Sequence, residues 1–120
     1  MLNTPILFLV FNRPEETKLV LDGIRAIQPK QLFIAADGPR KNVASDTELC
    51  RLTRELIVSN IDWDCDVKTL FREDNLGCAK AVSGAITWFF ENVEYGIILE
   101  DDCLPRSEER RVGKECLCWC

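Results

Sequence analysis

Three carboxylates in a row, Glu100-Asp101-Asp102, follow directly on the apolar run Ile97-Ile98-Leu99. Such a run reads as a strand buried on both faces, so the acids emerge where that strand leaves the core. Adjacent negative charges repel one another unless they are solvated or hold a cation. Hard oxygen ligands at a strand end suit Mg²⁺ or Mn²⁺, which are commonly bound by one or two carboxylates together with substrate phosphates. The triplet therefore points to a metal–diphosphate site, with an exposed acidic turn as the simpler alternative for the triplet alone.

The rest of the composition narrows the chemistry. The 120 residues have room for one domain, and a net charge of −5 without a Lys/Arg run argues against a nucleic-acid-binding surface. The absence of histidine excludes Ser-His-Asp and Cys-His nucleophiles and any His-ligated zinc. The apolar stretch at residues 6–11 lacks a basic lead and is too short for a signal peptide or a membrane span. A cytoplasmic protein without a transmembrane segment is expected. Cys50, Cys65, Cys78 and Cys103 form no C-x-x-C pair and are expected as reduced, mostly buried thiols.

The elements that must position these acids alternate strictly. Residues 6–11, 31–36, 67–71 and 95–99 are apolar and strand-like. Pro14 fits the first position of a helix, Glu15 and Glu16 its first turn, and Val20, Ile24 and Ile27 an apolar face. Ser45 and Glu48 form a capping box for a second helix, with Leu49, Leu52 and Leu56 as its buried stripe. Asn75-Leu76-Gly77 turns the chain into a third helix bearing Val82, Ile86 and Phe89. The βαβαβαβ order implies an α/β fold: a parallel sheet with right-handed crossovers and helices on both faces.

Ligands bind outside the carboxyl ends of the strands in open parallel sheets. Those ends are Asn12-Arg13, Asp37-Gly38, residues 72–77 and the acidic triplet, all polar or glycine-containing. One coherent site on one edge accounts for them together. Each also has a structural reading: Arg13 can pair with Glu16, Asp37 is a good turn residue, and Asn75 to Gly77 can be a helix-entry turn. Asp62, Asp64 and Asp66 lack the glycine a calcium loop requires, and read as a solvated turn.

Phe11-Asn12-Arg13-Pro14-Glu15, Ala36-Asp37-Gly38, Asn75-Leu76-Gly77-Cys78-Ala79-Lys80 and Leu99-Glu100-Asp101-Asp102-Cys103-Leu104-Pro105 together resemble the GT-A glycosyltransferases, especially family-2-like bacterial enzymes. The resemblance covers residues 6–105. It implies a Rossmann-like GT-A domain that takes a sugar from a nucleotide-diphosphate donor, commonly UDP-linked, to an acceptor the chain does not identify. It also implies Mn²⁺ or Mg²⁺ as cofactor. On this likeness Phe11 and Asn12 lie at the nucleotide and Arg13 approaches its diphosphate. Asp37 bonds the base, Asp101 faces the ribose, Asp102 coordinates the metal with Glu100 in support, and Lys80 contacts sugar or phosphates. No residue matches the family's downstream catalytic base.

Residues 106–116 resemble the conceptual translation of a sequencing-adapter oligonucleotide, and between Pro105 and Cys116 only Val112 is aliphatic. Residues 106–120 are therefore expected to be a non-native tail, and 1–105 the N-terminal, nucleotide-binding part of a truncated and inactive GT-A domain. Two other classes remain as alternatives. A sugar-phosphate nucleotidyltransferase needs a glycine-rich basic loop after the first strand, where this chain has Asn12-Arg13-Pro14-Glu15-Glu16. A non-catalytic receiver-type module carries its acids at the first strand end rather than the fourth.

Overall fold

The structure is a computed structural model that describes residues 2–101; Asp102 and the tail lie outside the described residues. Four strands, β1 (Ile6–Val10), β2 (Gln31–Ala36), β3 (Asp66–Phe71) and β4 (Ile97–Glu100), alternate with three helices. The helices are α1 (Pro14–Ile27), α2 (Ala44–Asn60) and α3 (Cys78–Asn92). The strands form one parallel sheet in the order β3-β2-β1-β4. The chain thus builds outward from β1 in one direction, then crosses back to place β4 on its other side. That reversal at β1/β4 opens a crevice at the carboxyl ends of the two strands.

Side-chain alternation along the strands sorts the core into two layers. Ile6, Phe8 and Val10 of β1 and Leu32, Ile34 and Ala36 of β2 face α1 and α2, meeting Val20, Leu21, Ile24 and Ile57. Leu7, Leu9, Phe33 and Ala35 face the opposite way onto Ala85 and Phe89 of α3. Phe89 stands edge-on to Phe33, with ring centroids 5.0 Å apart, a geometry aromatic quadrupoles favour. Gly96 lets that ring lie directly against the backbone entering β4. Every residue of β1 is buried, and each such aliphatic side chain contributes about 1.5–3 kcal/mol.

Several local expectations are corrected. β4 is an edge strand among the described residues: Leu99 is buried, but Ile97 and Ile98 are only half-buried. On α1 the buried stripe is Thr17, Val20, Leu21 and Ile24, and Ile27 is exposed. That helix stops at Gln28, which takes a left-handed conformation (φ 46°) and returns its N–H to the last carbonyls before Pro29. The capping box does not form: α2 starts at Ala44, its N-cap is Val43, and Ser45 is an exposed first-turn residue. The buried face of α2 is Asp46, Cys50, Thr53 and Ile57, whereas Leu52 is exposed. No described helix is long and apolar enough to cross a membrane.

Candidate functional site

The carboxyl ends of the strands enclose a cleft of about 500 Å³. Its walls come from the end of β1 with Phe11, Asn12 and Arg13, the end of β2 with Asp37, the end of β4 with Glu100 and Asp101, and the first turns of α3. Six of the expected residues therefore share one rim. Lys80 does not line the cleft; it is exposed beside Cys78 and Ala81, which do. Asp102 lies outside the described residues. Two further cations line it: Arg72, from the strand end expected on the rim but given no ligand role, and Arg40, which nothing in the sequence singled out.

Asp37 fastens two strand-end loops together. Its Oδ1 accepts the backbone N–H of Gly38 and of Leu76, both at 2.9 Å. Its Oδ2 accepts from Asn75 Nδ2 and from the Gly77 N–H, both at 3.1 Å. A carboxylate has about four acceptor positions, so internal donors already use all of them. Asn75 Nδ2 also donates to the Gly38 carbonyl at 2.8 Å. Gly38 is required at this closure, because a Cβ there would stand 2.5 Å from the Glu73 carbonyl oxygen. Gly77 (φ 86°) then lets the chain swing into α3. The turn roles of Asp37 and of Asn75-Leu76-Gly77 are thus realised, and the expected contact from Asp37 to a base would compete with four existing bonds.

Asp46 is the second fastening, and nothing in the sequence pattern singled it out. Its side chain is 1% exposed, at the first turn of α2. Arg40 encircles it, donating from Nε at 2.6 Å, from Nη2 at 3.0 Å and from its own backbone N–H at 3.0 Å. Asn12 Nδ2 supplies a fourth bond at 2.9 Å. The Arg40 side-chain bonds hold the Asp46 carboxyl well below the usual carboxylate range, against the opposing pull of burial, and Arg40 is raised in turn. Arg40 also sits over the Phe11 ring, 5.6 Å from its centroid. Phe11 and Asn12 after β1, the loop after β2 and the start of α2 are therefore one polar assembly. Asn12, expected at the nucleotide, spends its amide here.

Arg54, reaching from α2, closes the same end of the sheet. Its Nη2 donates to the carbonyls of Asp37 at 3.0 Å and Arg72 at 2.7 Å, the residues just past β2 and β3. The guanidinium also covers the Phe71 ring at 5.1 Å. Strand-end carbonyls that would otherwise lack partners are thus bound by a cation, a charge-assisted arrangement.

On the acidic side, Arg13 Nη1 lies 4.0 Å from Asp101 Oδ1, and no ion pair to Glu16 forms. The first turn of α3 carries no acid of its own and its N-cap glycine offers no side-chain cap; the Asp37 carboxylate, bonded to the Leu76 and Gly77 N–H groups, is the acid at that end of the helix. Cys78 is disulfide-bonded, which corrects its reading as a reduced thiol, whereas Cys50 and Cys65 are free. Burial pushes the Cys50 thiol up, so it is an inert core residue rather than a nucleophile.

Among the described residues no group of three or more His, Cys, Asp or Glu could cage a metal ion by itself. Glu100 and Asp101 do bring two neighbouring carboxylates to the cleft wall. Two carboxylates fit a hard divalent cation that completes its shell with phosphate oxygens and water. No protein family, curated protein or solved structure gave a match to this chain.

Proposed function

We propose that the cleft binds the nucleotide-diphosphate part of a sugar donor, and that the chain is the donor-binding part of a metal-dependent GT-A-type glycosyltransferase. The observation carrying this reading is the convergence of Phe11, Asn12, Arg13, Asp37, Glu100 and Asp101 on one cleft, at the switch point of a parallel sheet. Phe11, backed by Arg40, supplies aromatic surface for a base. Arg13, more than half exposed, is free to turn toward a diphosphate and stabilise charge developing on it. Glu100 and Asp101, with Asp102 following them in sequence, would hold Mn²⁺ or Mg²⁺. The ion would neutralise the leaving diphosphate. In this reading Asp37 acts chiefly by fixing the rim, and no residue of the described chain is assigned as catalytic base.

Calorimetric titration with UDP, with and without Mn²⁺, tests the proposal. Mn²⁺ should tighten UDP binding at least tenfold, and Asp102→Ala should abolish that gain. UDP binding that Mn²⁺ does not strengthen, or an Asp102→Ala protein that binds as the wild type does with the metal present, would contradict it.

A further inference from the structure

Arg72 is the one cleft arginine whose charge no carboxylate answers among the described residues. Arg13 faces Asp101 and Arg40 is bound to Asp46, but Arg72 has neither an ion pair nor a side-chain hydrogen bond. Its backbone is nonetheless firmly placed. The Arg72 N–H donates to the Ala36 carbonyl at 3.0 Å, and its own carbonyl accepts from Arg54 at 2.7 Å. The side chain lies along α3 against Gly84, where a Cβ would stand only 2.9 Å from Nη2 and 3.9 Å from Cζ. A guanidinium that is partly buried, fixed at its root and unanswered by an anion among the described residues lines the cleft, where Arg40 is bound to Asp46 and Arg13 has only a 4.0 Å contact to Asp101.

We infer that Arg72 is the anion anchor of the cleft, taking a phosphate oxygen of a diphosphate ligand, and that Gly84 is its positioning residue. The bare Cα of Gly84 forms the shelf on which the guanidinium rests. The diphosphate as ligand class rests on the function proposed above, whereas the anion site rests on the Arg72 geometry alone. Guanidinium forks match phosphate oxygens in a way a lysine ammonium does not, so replacement by lysine should recover only part of the binding.

The test uses inorganic pyrophosphate as probe, without metal, titrated into the full chain by calorimetry. Arg72→Ala should weaken binding roughly tenfold or more, as expected on losing a charge-assisted hydrogen bond, with Arg72→Lys between the two. Gly84→Ala gives a second readout that a merely structural role would not produce. Alanine favours the helix and obliges only the far end of Arg72 to move, so the melting temperature should hold or rise while pyrophosphate affinity falls. Lys68→Ala, an exposed change on β3, should leave affinity unaltered. Pyrophosphate binding in folded Arg72→Ala or Arg72→Lys equal to that of the wild type would overturn the inference. Arg72-dependent pyrophosphate binding that UDP with Mn²⁺ does not improve upon would uphold the anion anchor and count against the nucleotide-sugar reading.

Discussion

Asp37 and Asp46 are both carboxylates that accept four hydrogen bonds at the same end of the sheet, yet they hold it in different ways. Asp37 is partly exposed, and all four of its donors are neutral: three backbone N–H groups and the Asn75 amide. Asp46 is buried, and three of its four donors belong to Arg40. A carboxylate near water can be satisfied by peptide groups, because its charge stays partly solvated. A buried one needs an opposite charge as well as hydrogen bonds, or it would neutralise by taking a proton. The first arrangement ties two loops to each other; the second ties a loop and the end of β1 to a helix.

The difference sets the scale of what each replacement does. Asp46→Ala should be the most damaging, because it strips Arg40 and Asn12 of their acceptor and empties a buried position. A fall in melting temperature on the order of 15 °C is expected by thermal denaturation. A fall no larger than that of Asp37→Asn would mean that the ion pair does not organise the rim. Its pH dependence gives a sharper criterion. Because the folded-state pKa of Asp46 is depressed, the unfolded chain binds the proton more readily, and stability falls as pH drops. The contribution is fully present above the ordinary carboxylate range of about 4 and is lost progressively below it. Asp46→Asn should therefore flatten the stability–pH curve between roughly pH 5 and pH 2.

Gly38→Ala comes next. The added methyl meets the Glu73 and Asp74 backbone, which cannot swing aside as a side-chain tip would, so a loss of about 2 kcal/mol is expected from chemical denaturation. Asp37→Asn is milder. The amide leaves some donors on the Leu76 and Gly77 side unpaired, but these lie close to solvent and regain water, so about 1 kcal/mol is expected. Amide hydrogen exchange should show the loss confined to residues 73–77, whereas global loss of protection would make Asp37 as central as Asp46.

The contrast also marks what the residues alone could reveal. Continuous apolar runs at β1 and β2 announce strands buried on both faces, and glycine, asparagine and aspartate at the strand ends announce turns on a shared rim. Those signals are local, and they located Phe11, Asn12, Arg13, Asp37, Glu100 and Asp101 on one cleft. Asp46 was missed because hydropathy favours leucines, so the stripe on α2 was assigned to Leu49, Leu52 and Leu56. The buried stripe instead contains Asp46 and Thr53, made tolerable by Arg40 and by the Thr53 hydroxyl donating to the Leu49 carbonyl at 2.7 Å. Asp46 is satisfied by Arg40, six residues earlier in a loop, and by Asn12, 34 residues away, and no spacing rule foreshadows either partner. The same holds for Arg54, whose partners lie 17 and 18 residues away.

The smallest effect concerns the one expected contact that the cleft leaves out. Residues Gly77, Cys78, Ala81 and Val82 line it, a spacing that follows one face of α3, and Lys80 falls off that face. Removing its side chain should therefore leave UDP affinity within about twofold of the wild type, less than one hydrogen bond contributes. A cation in the first turn also opposes the positive end of the helix, so Lys80→Ala should raise the melting temperature slightly, by about 1–2 °C. The two readouts together separate the alternatives. Unchanged binding with a slight stabilisation leaves Arg72 as the α3-side cation that meets the ligand. A tenfold loss of affinity would mean that the bound ligand extends past Ala81 along the helix, and that Lys80, rather than the Arg72–Gly84 shelf, closes that wall.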